Sequence, residues 1–306
     1  MPLPSEVEDT LRNFIMNSSF STLGAIITDL DGTAVHEDKG RIYIPSEVEL
    51  GLKEIYDFGC PLILNTIRFP LSVIRTFGRD WYGISNAPIP TVSLNGSQLG
   101  FVIKNEANEL LFEEIESFPL TSSEIDVVLT GVKDLILGGI KNILLFYYPR
   151  DWRMGEIIWT PVPDYLQQVK EKYTSASSVT AIEFVKLREQ LLEEELCMIF
   201  LLVNVAEDQL MAYQHSKRSN FFTHKGVNKL SGTHAIAEKL GVDLTQSIAA
   251  GDTEMDLFLK GAGLSVLVGN NNLSYRGIKE TLMIKNSFEL GELFFKVSQI
   301  LKEMAN

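Results

Sequence analysis

The chain has 306 residues, which allows one large domain or two modest ones with a sizeable apolar core. Its composition, 45% hydrophobic and 22% charged, is typical of a soluble globular protein. The formal net charge of -13 argues against a nucleic-acid-binding protein and against docking on anionic lipid, because both need a basic face.

Cysteine content and the N-terminal segment predict a reducing compartment. Cys60 and Cys197 are too few for a disulfide framework, and both lie in apolar stretches, so we expect two buried, reduced thiols. The acidic N-terminal segment lacks an apolar signal region, and no stretch approaches membrane-spanning length. These features favour a cytoplasmic protein.

The first predicted element in chain order is a short amphipathic helix within residues 1–22, which packs against the main body or, alternatively, against another subunit. A buried strand follows at Gly24-Ala25-Ile26-Ile27, and it runs directly into the acidic turn Asp29-Leu30-Asp31-Gly32-Thr33. Residues i and i+2 of a strand point to the same side, so the two carboxylates emerge together. Such a pair is costly unless a cation or a shared proton relieves the repulsion. The turn therefore predicts a cation site.

A helix and a second strand follow this turn. Helical spacing begins at Ser46 and ends at Gly59, and Leu62-Ile63-Leu64-Asn65 predicts another buried strand. Strand, helix and strand with short links are typical of a right-handed unit of a parallel sheet. Because ligands of such sheets bind at the carboxyl ends of the strands, Thr66 is expected beside Asp29.

The same alternation of strands and helices is predicted near the C-terminus. A helix is predicted from Leu230 to Leu240, and a strand at Ser247-Ile248-Ala249-Ala250 leads into Gly251-Asp252. A further helix is expected from Glu254 and a further strand from Leu264 to Val268. The two ends together predict an α/β fold with a Rossmann-like parallel-sheet core.

The middle of the chain lacks this pattern of a strand followed by a polar turn. Between residues 98 and 222, apolar and alternating runs predict strands that are separated by charged helical stretches. We interpret residues 98–222 as an inserted α+β domain. The core is then discontinuous and comprises residues 1–97 and 223–306.

Polar residues stand at the predicted strand ends and helix starts in a fixed order. They are Asp29 and Asp31, Thr66, Lys229, and Asp252 with Asp256. This set resembles the haloacid dehalogenase-like phosphohydrolases, above all the Cof-type sugar phosphatases and the relatives that dephosphorylate sucrose-phosphate or mannosylphosphoglycerate. The resemblance extends to Asn95-Gly96 and Gly269-Asn270. It implies that the inserted domain is a cap over the site.

The resemblance assigns a role to each carboxylate. Asp29 would be the nucleophile that forms an aspartyl-phosphate, and Asp31 would be the acid for the leaving alkoxide and then the base for water. Mg²⁺ would be held by Asp29, the backbone carbonyl of Asp31, and Asp252. Asp256 would act behind these ligands, through water or by orienting Lys229. Taken singly, each could be an ordinary solvated carboxylate near a turn or helix start.

Two further residues would bind the phosphoryl group. Thr66 would do so through its hydroxyl, although a lone threonine after a strand is usually structural. Lys229 would supply a point charge. Lys229 lies twelve residues before Gly241, as in the family's lysine helix, whereas the competing Lys225-Gly226 has the wrong distance to that helix end.

The sequence also departs from the family. Ile67 replaces the glycine of the usual Thr-Gly-Arg, Met255 replaces an asparagine near the last aspartate, and the link from the cap to Lys229 is short. These departures leave the efficiency and the substrate open. Within the cap, groups that could stack on a sugar or bind an anion compete with a surface-loop interpretation. They are Arg150, Trp152, Arg153 and Trp159.

The resemblance thus implies a Mg²⁺-dependent phosphatase that acts on a phosphorylated sugar or similar small metabolite. A sugar phosphomutase is an alternative with the same chemistry. A catalytically weak binding or regulatory protein on the same fold is a second alternative, suggested by Ile67 and Met255.

Overall fold

The computed structural model describes residues 3–203, 221–269 and 273–305. Their strands form two sheets and one short hairpin. In chain order the strands are β1 (Ile26–Thr28), β2 (His36–Asp38), β3 (Arg41–Tyr43), β4 (Leu62–Asn65), β5 (Ile89–Ser93), β6 (Gln98–Lys104), β7 (Leu110–Ser117), β8 (Ile143–Pro149), β9 (Ile157–Trp159), β10 (Ser178–Thr180), β11 (Leu196–Val203), β12 (Phe221–Phe222), β13 (Ile248–Gly251), β14 (Leu264–Val268) and β15 (Glu280–Ile284).

The α-helices alternate with these strands at both ends of the chain. They are α1 (Ser5–Met16), α2 (Phe20–Leu23), α3 (Ser46–Asp57), α4 (Pro70–Thr76), α5 (Gly78–Ser85), α6 (Ser122–Leu137), α7 (Leu166–Lys172), α8 (Phe184–Glu193), α9 (Lys229–Leu240) and α10 (Ser287–Ala305). Where a helix was expected from Glu254, the chain forms only a short 3₁₀ turn at Leu257–Gly261.

The larger sheet has the strand order β15-β14-β13-β1-β4-β5-β6-β7. Its first six strands are parallel, and β1 lies between β13 and β4, with Ile26 opposite both Ile248 and Leu62. All residues of β1, β4 and β13 are buried, which explains why these strands read as continuous apolar runs. The carboxyl ends of β1, β4 and β13 therefore meet at one sheet edge.

Helices cover both faces of this sheet. On one face, Ile26 and Leu62 belong to a cluster with residues of α3 and α10, among them Leu52 and Phe294. On the other face, Ile27 and its neighbours pack against α9. The helix expected within residues 1–22 is α1, and its buried side chains join the first cluster. The predicted α/β class, with a parallel-sheet core, is confirmed.

The predicted domain boundary at residue 98 is wrong. Strands β6 and β7 pair antiparallel with β5 and with each other, so residues 98–117 extend the core sheet by one hairpin. The second sheet begins only after Ser117. The alternating sequence pattern of this hairpin resembles that of the cap strands. Only its pairing with β5 shows that it belongs to the core sheet.

The second sheet has the order β10-β9-β8-β11-β12 and is mixed, as expected for an α+β insertion. One face packs against α6 and α8. The opposite face carries aromatic side chains, including Phe146 and Phe200, and it contacts the core through Phe69 and Leu94. This sheet with its helices is the cap, and its aromatic side is turned toward the core.

Two structural observations concern the predicted free thiols and the predicted lack of a membrane-spanning segment. Cys60 and Cys197 are both buried with free thiols, one in the core and one in the cap. In the described part of the chain, no helix has both the length and the apolar character needed to cross a bilayer.

Candidate active site

The acidic turn after β1 is joined to the loop after β13. The backbone N–H of Asp29 donates to the Ala250 carbonyl at 3.0 Å, which continues the pairing of the two strands by one residue. The Thr33 hydroxyl donates to Asp252 Oδ1 at 3.0 Å. Gly32 has a φ of +79°, and a Cβ there would collide with the Asp252 carboxylate. The turn therefore needs this glycine to bring both aspartate loops together.

Lys229 connects Asp29 to Asp256. Its Nζ donates to Asp29 Oδ1 at 2.8 Å and to Asp256 Oδ1 at 2.7 Å, and all three residues are buried. Lys229 is the first residue of α9, whose start is capped by the Asn228 side chain. The ammonium group is therefore anchored by helix geometry and by two carboxylates.

The competing candidate, Lys225, lies elsewhere. Its side chain is exposed, and its backbone N–H donates to Glu124 of the cap helix α6 at 2.8 Å. Of the two candidate lysines, Lys229, which has the expected distance to Gly241, is the one that reaches the acidic cluster.

Asp256 is committed to contacts within the protein. Its Oδ2 accepts from the backbone N–H groups of Asp252 and Thr253, each at 2.9 Å, while Oδ1 accepts from Lys229. This side chain thus shapes the loop that carries Asp252 and fixes the lysine. Orienting Lys229 is one of the two ways in which Asp256 is expected to act behind the metal ligands.

The electrostatics of the cluster favour an added cation. Burial raises the pKa of the Asp29 carboxyl well above its usual range, although Lys229 acts in the opposite direction. Burial and the neighbouring Asp256 raise the pKa of Asp252 to about 7. Burial alone would lower the pKa of Lys229, but the two carboxylates outweigh it and raise it. The aspartates therefore need more positive charge than Lys229 supplies.

The donor set fits a hard divalent cation. One carboxylate oxygen each from Asp29, Asp252 and Asp256 lie within 4.8 Å of one another. All-oxygen ligation by few protein groups, completed by water, is the chemistry that Mg²⁺ prefers. Because Asp256 is already engaged on both oxygens, Asp29 and Asp252 are the carboxylates best placed as ligands. Asp31, the third predicted ligand, would contribute only its carbonyl.

Thr66 lies at the same edge of the sheet. It follows β4, which pairs with β1 through Thr28 and Leu64, and its backbone N–H donates to the Val92 carbonyl at 2.8 Å. Its hydroxyl oxygen accepts from the Arg68 N–H at 3.1 Å. A hydroxyl that accepts in this way can still donate its own proton.

Arg68 is a residue of the site to which we had assigned no role. Its Nε and Nη2 donate to the two oxygens of Asp31, each at 2.7 Å, and only 7% of its side chain is exposed. This fork fixes the orientation of Asp31. The signal for Arg68 in the sequence is its place as the third residue of Thr66-Ile67-Arg68, where the family has Thr-Gly-Arg.

The cap residues that could stack on a sugar or bind an anion lie in different surroundings. Trp159 is buried within the cap, where its Nε1 donates to the Ile182 carbonyl at 2.8 Å, so it does not face the site. Arg150 pairs with Glu114 of the core and Glu195 of the cap. Arg153 lies over the ring of Trp152, 5.0 Å from its centroid. Asn270, part of the family resemblance, lies outside the described residues.

Comparisons with known proteins identify the family and the fold of this chain. A family model for haloacid dehalogenase-like hydrolases matches residues 26–278. No curated protein matches the chain. Among solved structures, a phosphatase of the haloalkanoate (HAD) enzyme superfamily from Bacteroides thetaiotaomicron has a TM-score of 0.63 at 14% identity, covering 92% of this chain and 96% of its own.

Two other structures are similar. A HAD subclass IIB sugar phosphatase has a TM-score of 0.60 at 17% identity, covering 92% of this chain and 99% of its own. A protein from Thermotoga maritima has a TM-score of 0.58 at 16% identity, covering 92% and 97%. At these identities the likeness shows a shared fold with a core and a cap. The family match confirms the predicted family: this chain belongs to the haloacid dehalogenase-like hydrolases.

Proposed function

We propose that this hydrolase is a Mg²⁺-dependent phosphatase that removes the phosphoryl group from a phosphorylated sugar or similar small metabolite. One observation carries the proposal: the Lys229 ammonium lies 2.8 Å from Asp29, in a cluster with the half-buried Asp252 and the buried Asp256. The sugar phosphatase with a similar fold supports the substrate class by analogy.

In the first step, an Asp29 carboxylate oxygen attacks the phosphorus atom, and the bond from phosphorus to the leaving oxygen breaks. Asp31 donates its proton to the departing alkoxide, which leaves as an alcohol. Lys229 and Thr66 hold the phosphoryl oxygens during this transfer. The product is an aspartyl-phosphate on Asp29.

In the second step, a water molecule attacks the phosphorus of that intermediate. Asp31, now ionised, takes a proton from the water, and the bond from phosphorus to Asp29 breaks. Arg68 holds the ionised Asp31 in one orientation for this step, because its fork contacts both carboxylate oxygens. Inorganic phosphate leaves, and both aspartates regain their starting states.

Asp29, Asp252 and the Asp31 carbonyl would hold Mg²⁺, which when bound neutralises phosphoryl charge and favours ionised carboxylates. The raised pKa values of Asp29 and Asp252 support this assignment.

The test is hydrolysis of p-nitrophenyl phosphate with and without Mg²⁺, by the natural protein and by Asp29→Asn. We expect Mg²⁺-dependent release of phosphate, with a loss of at least about a thousandfold in Asp29→Asn because an amide cannot attack phosphorus. The surface variant Asp57→Asn is the matched control. Equal activity in Asp29→Asn, or no activity in the natural protein, would overturn the proposal.

The same measurements address the two alternatives. A phosphomutase would return the phosphoryl group to the sugar, so product analysis with a sugar bisphosphate would show an isomer rather than free phosphate. A catalytically weak binding protein would release no phosphate above the Asp29→Asn background. We further propose a reducing cytoplasmic setting, supported by the two buried free thiols.

A further inference from the structure

The amide side chain of Asn65 connects the two segments that carry the groups proposed to bind phosphate. Asn65 is the last residue of β4, directly before Thr66. Its Nδ2 donates to the Lys229 carbonyl at 3.1 Å and to the Thr233 hydroxyl at 2.6 Å, and both of these residues belong to the start of α9. One side chain therefore ties the end of β4 to the start of α9, although Asn65 and Lys229 are 164 positions apart in the chain.

This contact lies in a close-packed part of the core. Asn65 and Thr233 are fully buried, and only 2% of Lys229 is exposed. The Thr233 hydroxyl donates in turn to the Lys229 carbonyl at 2.5 Å. On the same helix, Gly232 lies so close to the sheet that a Cβ there would collide with Val92 of β5. The start of α9 is therefore held against two neighbouring strands, by polar contacts to β4 and by close packing on β5.

The amide of Asn65 uses only its donors. Within the described part of the chain, the buried Oδ1 of Asn65 accepts no hydrogen bond. A buried acceptor without a partner lowers stability, and an apolar side chain of the same shape is often neutral or stabilising at such a position. The other residues of β4 are apolar and equally buried. Stability of the fold alone therefore does not explain this amide, whereas a fixed placement of α9 relative to β4 does.

The placement of α9 decides where the lysine ammonium lies. The Nζ of Lys229 donates to Asp29 Oδ1 at 2.8 Å, and Thr66 follows Asn65 at the same edge of the sheet. A shift of α9 along its axis would move the ammonium group relative to both Asp29 and Thr66. Such displacements reduce rates strongly, because the transition state is stabilised only by groups held in the right geometry.

We propose that Asn65 is a positioning residue of the reaction. Through the Lys229 carbonyl, it holds the lysine ammonium at the distance from Thr66 and Asp29 at which the transferring phosphoryl group is bound best. The inference rests on the proposed phosphatase function and adds a residue to it. Asn65 acts through Lys229 and not on the substrate.

Asn65→Leu tests this role, because it keeps the shape of the side chain and removes both donors. The Thr233 hydroxyl still donates to the Lys229 carbonyl, so neither group loses its last partner. We therefore expect the midpoint of thermal unfolding to change by no more than about 3 °C. In the full-length enzyme with Mg²⁺ and p-nitrophenyl phosphate, kcat should fall by about tenfold while KM changes by less than about twofold. Asn13→Leu, at an exposed position on α1, is the matched control.

Inhibitor binding separates a positioning role from a loss of folded enzyme. Vanadate adopts the five-coordinate geometry of the transition state, whereas inorganic phosphate is tetrahedral like the substrate. In Asn65→Leu we expect the inhibition constant of vanadate to rise by about the factor by which kcat/KM falls, and that of phosphate to rise less. A variant that is merely less folded would lose kcat but keep both inhibition constants. Unchanged inhibition by vanadate in Asn65→Leu would overturn the inference.

Thr233 provides an independent pair of variants. Thr233→Val removes the hydroxyl that joins Asn65 to the Lys229 carbonyl, whereas Thr233→Ser keeps a hydroxyl there. We expect Thr233→Val to lose kcat and vanadate affinity as Asn65→Leu does, and Thr233→Ser to recover most of both. The double variant should lose less than the product of the single losses, because both substitutions act through one carbonyl. If Asn65→Leu does not fold, this pair decides, and equal rates in its two members would contradict the role.

Failure of this inference is distinguishable from failure of the proposed function. A natural protein that hydrolyses p-nitrophenyl phosphate with Mg²⁺, and that keeps its rate in Asn65→Leu, is a phosphatase in which Asn65 positions nothing. A natural protein inactive toward this substrate overturns the proposed function, and the inference falls with it.

Discussion

The edge of the core that carries the acidic cluster and the core-facing side of the cap differ in chemical character: the first is charged and the second is apolar. At the core edge, buried or half-buried charged groups face each other within 3 Å, as Lys229 faces Asp29 and Arg68 faces Asp31. On the cap, aromatic rings fill the facing side, and Phe69 contacts Tyr148 there with ring centroids 5.6 Å apart. The two regions meet at adjacent residues of one loop, Arg68 and Phe69.

This contrast separates two tasks. Buried charges are expensive to hold, so each must be paired within the core, and that pairing preorganises the chemistry before a substrate arrives. Apolar surfaces attach without specific geometry, so the aromatic side of the cap adds packing against the core beside the ion pair between Arg150 and Glu114. The variants below test this division, from the largest expected effect to the smallest.

The largest effect is expected for Lys229→Met. It removes the counter-charge of Asp29 and Asp256 together with the group that we propose to bind phosphate. We expect kcat/KM for p-nitrophenyl phosphate to fall by at least about a hundredfold, and the free energy of unfolding to fall by about 3–5 kcal/mol without Mg²⁺. Enzyme assays and urea titrations measure both. Lys225→Met, at the exposed linker position, is the control. Similar losses in both variants would refute the special role of Lys229.

Phe69→Ala tests the apolar contact between core and cap. Phe69 is 2% exposed and joins the cap cluster, so its truncation should lower the free energy of unfolding by about 3 kcal/mol or more. Urea denaturation measures this loss. Phe58→Ala, at a position with 39% exposure, should cost far less. An equal cost would show that the Phe69 contact does not hold the cap.

Arg68→Lys keeps the positive charge but loses the two-pronged contact with Asp31. We expect kcat to fall by about tenfold with a smaller change in KM, because the orientation of the acid and base changes rather than phosphate binding. The kcat pH profile should change as well, which a purely structural role would not produce. Arg75→Lys, on the exposed side of α4, serves as the matched variant. An unchanged kcat and pH profile would exclude Arg68 as a positioning residue.

The smallest effect concerns the two thiols, which report on the core and the cap separately. Burial raises the pKa of Cys60 and of Cys197 to about 12, so neither should react with a disulfide reagent in the native protein at pH 8. Both should react in guanidinium. If Cys197 becomes reactive at a lower denaturant concentration than Cys60, the cap unfolds before the core. Rapid native labelling of either thiol would contradict its buried position.

Local chemistry explains what could be predicted. The turn after β1, the glycine that ends α9 and the spacing back to Lys229 are short-range signals, because strand ends and helix caps are set by a few neighbouring residues. Each placed a polar residue at the correct edge of the core sheet. The parallel order of the strands then follows from right-handed connections.

What could not be predicted depends on contacts between distant segments. The amphipathic pattern of residues 98–117 suits either domain, and only pairing with β5 makes it part of the core. Trp159 is a residue type that often stacks on sugars, but here it packs inside the cap. Arg68 and Asp31 are 37 residues apart, and no local pattern announces their contact.

The sequence by itself determined the family, the order of the polar groups and the sheet edge where they gather, because strand, turn and cap signals act over a few residues. Only the tertiary structure decided which arginine holds Asp31, that Lys229 is buried with contacts to both Asp29 and Asp256, and which side of the cap faces the core. The physical reason is that burial and ion pairing depend on packing between segments far apart in the chain.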